Sequence, residues 1–399
     1  MQLTLRSRFT LPLAAALICL GCDDTMSVNP QSIDTDGGLD AAPPDLSPPA
    51  DLLPLPPPTL PQAVPHAGTI LKNVQLVTIS WSDYSFAPLA ESFGDFIVKS
   101  NWYKTVGEEY GVGPGKHLKP VELPERTPPS ITDTQLRAFI KQKVLDKTLP
   151  APSPDNQTLY MFYFPRSTTI TDDSGNNGTL CSQFAGYHRQ GVINPSRYTY
   201  AVIGDCGGGD QEITITASHE LIEAATDPYG PPSDGFYLDA DVTDPWEAEN
   251  GQEVGDLCEY EPDMVSEGGF PLQKSWSNKA AAAGGDPCIP GAPATYYNIR
   301  VSPEGVPSVA AGDKITFTLT GWTVGGTVPP WKISLDSASA SDFRLTELQP
   351  ILSGTTVYNN YSVTLTLTAP VGAGTGLLAG VKVSSGNDKH AWPVAFTIQ

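Results

Sequence analysis

The first 65 residues decide where the rest of the chain folds. Arg6 and Arg8 open a basic start, and Leu11–Leu20 is an apolar run. That run is too short to span a bilayer and fits a secretory signal. Residues 23–65 contain no Lys or Arg and are dense in Pro and Asp, ending in Leu53-Pro-Leu-Pro-Pro-Pro. A stretch of this kind cannot bury a core, and it reads as an extended, disordered acidic linker. Folded structure is therefore expected only from about His66 onward, and outside the cytoplasm.

The leader ends in Leu20-Gly21-Cys22. A small residue followed by Cys resembles a bacterial lipoprotein signal peptide, in which Cys22 becomes the lipidated first residue; Cys19 stands where such signals usually carry Leu. The resemblance implies a protein lipid-anchored to the cell envelope, at the outer membrane or cell surface, with residues 23–65 as a stalk. With Cys19 removed and Cys22 lipidated, Cys181, Cys206, Cys258 and Cys288 remain. An even number in an exported chain suggests two disulfides. Pairing neighbours gives Cys181–Cys206 and Cys258–Cys288, one of three possible connectivities. A four-thiolate zinc site is disfavoured because no C-x-x-C spacing occurs.

The 399 residues carry 44 acidic and 23 basic side chains, a net charge of −21. That balance argues against nucleic acid and against an anionic membrane surface as partners. Residues 66–290 alternate strand and helix signals. Ile70–Trp81, Leu159–Phe164 and Tyr198–Ile203 are strand-like. Ala87 to about Glu109, and Thr132 to Leu149 with Thr132 as its cap, are helix-like. These predict an α+β domain of α/β type. Residues 228–283 are irregular, acidic and aromatic, a long segment of the sort that is usually functional, expected to wrap beside the helix before it. Residues 291–399 lose the helix signals. Short β-rich runs at Lys314–Thr320, Val357–Thr368, Leu377–Val383 and Trp392–Ile398 predict an immunoglobulin-like β-sandwich. Its Trp322, Trp331 and Trp392 are candidates for core or for a binding face.

The chemistry concentrates at Ile213–Pro228. His219-Glu220-Leu-Ile-Glu223 is H-E-x-x-E, one substitution away from the zincin motif H-E-x-x-H, in which two histidines bind zinc and the Glu is the general base. On a helix His219 and Glu223 share a face, and glutamate is an acceptable zinc ligand. Glu220 is then the candidate base of a zinc-dependent, metallopeptidase-like hydrolase acting on a peptide or other acyl bond. A carboxylate in place of His makes the ion a poorer Lewis acid and leans toward a harder ion or a structural one. The third ligand is expected from His188 first, in the loop before the preceding strand, and then from Glu253 or Asp256. Asp227 continues the stripe, but a straight helix puts it about 12 Å from His219 at roughly 1.5 Å per residue, so it is expected to anchor the turn made by Pro228. Calcium is possible as well: Asp239-Ala-Asp241-Val-Thr-Asp244 is acidic at alternate positions but lacks the Gly and Glu of an EF-hand. The alternative is a non-catalytic surface protein binding glycan or protein, with an ordinary helix bearing one His and two Glu.

Residues 66–290 also resemble the exordium-like, phosphate-induced protein family of plant cell walls and its bacterial relatives. The resemblance rests on Ser100-Asn-Trp102-Tyr-Lys104-Thr, Cys181 with Gly186-Tyr-His188, His219-Glu-Leu-Ile-Glu223-Ala-Ala-Thr-Asp227-Pro228, Glu253-Val-Gly-Asp256-Leu-Cys258, and Trp276-Ser-Asn278 to Cys288. It implies secretion and surface or wall association, and supplies no reaction.

Overall fold

The computed structural model describes residues 56–173, 178–230, 233–238, 244–246, 252–259, 261–291, 295–335, 345–371 and 377–399. The leader with Cys22, residues 23–55 of the acidic stalk, and Asp239 and Asp241 of the candidate calcium loop lie outside them. The last stalk residues correct the expected start of folding at His66: Leu60 and Ala63 are buried, and Ala63–Pro65 pairs antiparallel with Phe236–Leu238, because apolar side chains there find cover. The described chain is richer in strand than in helix and forms several sheets.

The first half is organised on one sheet. Its main strands are β1 (Gln75–Trp81), β2 (Thr158–Phe164), β3 (Gly186–Ile193) and β4 (Ser196–Gly204). β1, β2 and β4 run parallel in that spatial order, and β3 closes the edge antiparallel to β4. All seven residues of β2 are buried. A central parallel strand is covered on both faces, which is why its sequence is a continuous apolar run rather than an alternation. Parallel neighbours need crossovers: α1 (Ala87–Ile97), α2 (Asn101–Gly107) and α3 (Asp133–Leu145) lie between β1 and β2, the connection from β2 to β4 passes through the edge strand β3 with no helix among the described residues, and α4 (Gly209–Thr226) follows β4.

Two expected helices are corrected. The segment Ala87–Glu109 is not one helix. The Ser100 hydroxyl accepts a hydrogen bond from Tyr103 N, so Ser100 caps a new helix and breaks the apolar stripe into α1 and α2. The helix expected to reach Leu149 stops at Leu145, because Lys147 takes a left-handed φ of 66° and turns the chain. Its start is as expected: Thr132 and Gln135 form a complete capping box.

After α4 the chain wraps along the helix with little regular structure. Its regular pieces are short: the strand Phe236–Leu238, a single turn at Asp256–Cys258, a hairpin of Val265–Glu267 with Phe270–Leu272, a bridge of Ser275–Trp276 to Cys288–Ile289, and the helix Asn278–Ala282. Two disulfides fasten it. Cys181–Cys206 joins the segments flanking the β3–β4 hairpin, and Cys258–Cys288 ties the wrap to its own end. Disulfides suit an oxidising compartment. Among the described residues no helix is long and apolar enough to cross a membrane.

Residues 295–399 form two further sheets. One orders Tyr296–Ser302, Lys314–Val324, Ser362–Thr368 and Ile351–Leu352; the other orders Ser308–Val309, Asp388–Ile398, Leu377–Ser385, Trp331–Ser334 and Thr356–Val357. All pairings are antiparallel except Ser308–Val309 with Asp388–Ile398. Trp322, Trp331 and Trp392 are all buried, so they build the core and make no binding face. The Trp392 ring lies 5.4 Å from Trp246, which seats the last strand against the wrap.

Candidate metal centre

α4 is buried along nearly its whole length between the sheet and the wrap. That forces its polar residues to find partners inside the protein. His219 and Glu223 stand one turn apart, with His219 Nε2 3.1 Å from Glu223 Oε2. The other Glu223 oxygen, Oε1, accepts the backbone N–H of Asp256 at 2.9 Å. The Asp256 carboxylate turns back to within 3.7 Å of His219 Nε2. The wrap comes this close because position 255 is glycine: a Cβ there would stand 2.6 Å from Glu223 Oε1.

Both histidines commit one ring nitrogen to a neutral acceptor. His219 Nδ1 lies 3.1 Å from Gln273 Oε1. The orientation of that amide follows from its other end, where Gln273 Nε2 donates to the Gly255 carbonyl at 2.8 Å. An amide oxygen only accepts, so Nδ1 carries the proton and Nε2 faces the carboxylates. His188 repeats the arrangement with its nitrogens exchanged. Its Nε2 donates to the Asp227 carbonyl at 3.0 Å, and its Nδ1 faces Glu220 Oε2 at 3.4 Å and Glu223 Oε2 at 3.7 Å. Two groups of three donors result, His219–Glu223–Asp256 and His188–Glu220–Glu223, each within 4.8 Å, with Glu223 common to both.

The expected site residues can now be placed. His188 is on the edge strand β3, paired with Ala201, rather than in a loop. Its strand reads polar because one side of it lines the site. It meets Glu220 and Glu223, and its Nε2 also lies 3.4 Å from Glu253. Asp256 is the residue brought to His219. Asp227 stays outside the donor groups and anchors the turn, its carboxylate accepting from Gly235 N at 2.7 Å. Glu220 is 4 % exposed, whereas Glu253 and Asp256 are 28 % and 22 % exposed, so the pocket opens on the wrap side. Gln273 had no motif to announce it.

Charge dominates the pocket. Burial works against the charged form of both imidazoles, but the carboxylates outweigh it. Glu253 and Glu220 lead in pushing His188 up to about 10, and Glu223 leads in holding His219 well above its ordinary value. Burial raises Glu220, Glu253 and Asp256, the last two far above the carboxylate range. Glu223 alone is held low: burial opposes, and His219 and His188 win. Among the described residues no Lys or Arg pairs with any of these four carboxylates.

Two other constellations invite comparison. Thr78 Oγ1 is 2.9 Å from His117 Nε2, and His117 Nδ1 is 2.8 Å from Asp95. The connectivity is that of a hydrolytic triad, but the burial is inverted. Thr78 is buried while Asp95 is 77 % exposed, so no substrate reaches the hydroxyl. A second cluster ties the last strand to the wrap. Glu261 Oε2, Lys274 Nζ, Asp286 Oδ2 and His390 Nδ1 alternate in sign around a ring with sides of 3.5, 3.7, 3.8 and 3.7 Å. All four side chains are at most 8 % exposed, and Glu261 Oε1 also accepts Ala391 N at 2.9 Å.

No family model matches the chain, and no curated protein matches it. The exordium-like resemblance therefore rests on its quoted motifs. Among solved structures, domains 4 and 5 of the S-layer protein SbsC align at 18% identity with a TM-score of 0.17, covering 26% of this chain and 53% of that one. The yeast GGA1 GAE domain aligns at 10% identity with a TM-score of 0.15, covering 28% of this chain and 96% of that one. The chain thus spans about half of the S-layer fragment, and overlaps this slight carry no argument about fold or function.

Proposed function

We propose that this is an exported, lipid-anchored metalloprotein whose centre is His219, Glu223 and Asp256, and that the centre hydrolyses a peptide or other acyl bond. The observation that carries the reading is the convergence of His219, Glu223 and Asp256, whose donor atoms all lie within 4.8 Å of one another. His219 Nδ1 is held by Gln273, which leaves Nε2 as the atom turned to Glu223 Oε2 at 3.1 Å, where a cation could stand in place of the ring's second proton. A hydrogen-bonded outer nitrogen is also the usual support of a metal-bound histidine. The donor separations of 3.1 and 3.7 Å bracket the roughly 3.4 Å between ligands of a tetrahedral ion with bonds of about 2.1 Å. A mixed imidazole and carboxylate set suits zinc or a neighbouring first-row divalent ion better than calcium.

Such an ion supplies Lewis acidity and lowers the pKa of a bound water. The chain's own contribution is a pocket closed by the sheet and open at the wrap. Glu220 is buried against His188, so it does not meet water at the opening. Glu253 is the carboxylate at that opening, and once a cation in the pocket keeps it ionised it could take a proton from water. Cys22 and the stalk then hold the centre off the membrane, and the two sheets of residues 295–399 form the immunoglobulin-like sandwich that completes the exported part.

One observation favours a second reading. The residue equivalent to the peptidase base, Glu220, is shut away, as it would be in a metal-stabilised surface protein that binds glycan or protein. Metal analysis of protein refolded with zinc, followed by digestion of a peptide library, separates the two. We expect bound metal that His219→Ala reduces, and cleavage that Glu253→Gln abolishes while metal stays bound. Metal without cleavage leaves the binding protein. A metal-free wild type refutes the centre.

A further inference from the structure

The second half of the pocket repeats the logic of the first. His188 Nε2 donates to the Asp227 carbonyl, and its Nδ1 faces carboxylate oxygens of Glu220 and Glu223. Glu220 is buried, and its Oε2 has no hydrogen-bond partner. A buried carboxylate oxygen left without a donor is costly. It is aimed into the gap that His188 Nδ1 and Glu223 Oε2 also face. The strand approaches this gap through glycine: a Cβ on Gly186 would stand 2.8 Å from Glu220 Oε1.

We infer that the pocket holds two divalent cations, with Glu223 as the bridging ligand: one ion among His219, Glu223 and Asp256, the other among His188, Glu220 and Glu223. The inference rests on the metal reading above and deepens it. Among the described residues no Lys or Arg pairs with Glu220, Glu223, Glu253 or Asp256, so divalent ions could replace the protons that these carboxylates otherwise share with the two imidazoles. The protein reaches each ion from a different direction, with α4 supplying Glu220 and Glu223 to the inner ion. β3 supplies the imidazole to the inner ion and the wrap the carboxylate to the outer. Paired ions of this kind clamp both the attacking and the leaving oxygen in hydrolysis. The arrangement also removes Glu220 from the role of base and makes it a ligand.

The experiment is metal stoichiometry on the full exported chain, equilibrated with zinc, freed of excess by gel filtration and analysed by elemental mass spectrometry. We expect two zinc ions per chain in wild type, one in His188→Ala and in Glu220→Gln, one in His219→Ala, and none or weakly held metal in Glu223→Gln. One ion per chain in wild type, unaffected by His188→Ala, overturns the second ion and leaves the first. One ion lost in both histidine variants means a single shared ion and overturns the pair. No metal in wild type overturns both readings. Because a variant can fail to fold, wild type is also titrated with cobalt(II) and followed by electron paramagnetic resonance. Spin coupling that appears only with the second equivalent supports a shared Glu223, and two equivalents without coupling refute the bridge.

Discussion

Replacing Asp286 by Asn should stabilise the protein at neutral pH, although Asp286 faces two cations. The reason is the balance between burial and attraction. Asp286 is 8 % exposed, with Lys274 Nζ at 3.7 Å and His390 Nδ1 at 3.8 Å from its Oδ2. Burial, helped by the neighbouring Glu261 charge, outweighs both, and the carboxyl is pushed up from 3.8 to about 6. The unfolded chain ionises it at its ordinary value. A group with a raised folded pKa contributes stability that is fully present below the unfolded value and lost as pH rises through the folded one. Between 3.8 and about 6 lie about two pH units, each worth about 1.4 kcal/mol. Ionised Asp286 therefore costs the folded state on the order of 3 kcal/mol above pH 6.

Asparagine resembles the protonated acid and keeps an oxygen for Cys288 N, which Asp286 Oδ1 now accepts at 3.0 Å. Urea unfolding with disulfides intact should show Asp286→Asn more stable than wild type by about 2–3 kcal/mol at pH 7.5, with the difference falling toward zero near pH 4. Comparing the two proteins at each pH cancels the other titrating groups. The opposite result is equally well defined. Removing one member of a net-favourable buried ion pair costs about 3–5 kcal/mol. If Asp286→Asn is destabilised by that much at pH 7.5, attraction around the ring exceeds the burial cost and the reasoning fails.

Gly255→Ala should weaken metal binding by about tenfold or more, because its Cβ would stand 2.6 Å from Glu223 Oε1 and push that carboxylate off its place; competition with a chelator measures it, and unchanged affinity would show that the wrap yields instead. The paired change Cys258→Ser with Cys288→Ser opens a link across 30 residues, with an expected loss of about 3.5 kcal/mol in chemical denaturation, and it should also weaken metal binding, since Asp256 lies two residues from Cys258. Thr78→Val should leave any hydrolysis untouched and lower stability by about 1 kcal/mol; a lost activity would mean that the buried Thr78–His117–Asp95 chain does reach substrate. Thr132→Ala removes the capping box of α3 and should cost about 1 kcal/mol in the same assay.

What could be read from the sequence was local. The cap at Thr132, the buried run of β2 and the shared face of His219 and Glu223 each lie within a few residues, where helix and strand periodicity act directly. The expectations that failed turned on a competing local signal. Ser100 caps a new helix although the apolar stripe runs on through it. The surroundings of Glu220 were hidden for another reason. Spacing alone places it beside the stripe, but α4 is covered all round, so the side that should be open is filled by β3 and His188. The closure of the pocket is non-local. Asp256 meets Glu223 across 33 residues, His188 meets Asp227 across 39, and Gln273 meets His219 across 54. No periodicity connects such positions. What does connect them is the accounting of polar groups: a helix buried on every side with His219, Glu220 and Glu223 on it must be met by partners from elsewhere. The wrap, tied down by Cys258–Cys288, and the edge strand, tied down by Cys181–Cys206, are the segments that flank it. Cys258 lies two residues from Asp256, and Cys181–Cys206 joins the two ends of the hairpin that carries His188, so an oxidising compartment and the closure of the pocket go together. A chain kept reduced should lose Asp256 and His188 from the pocket before it loses the sheet.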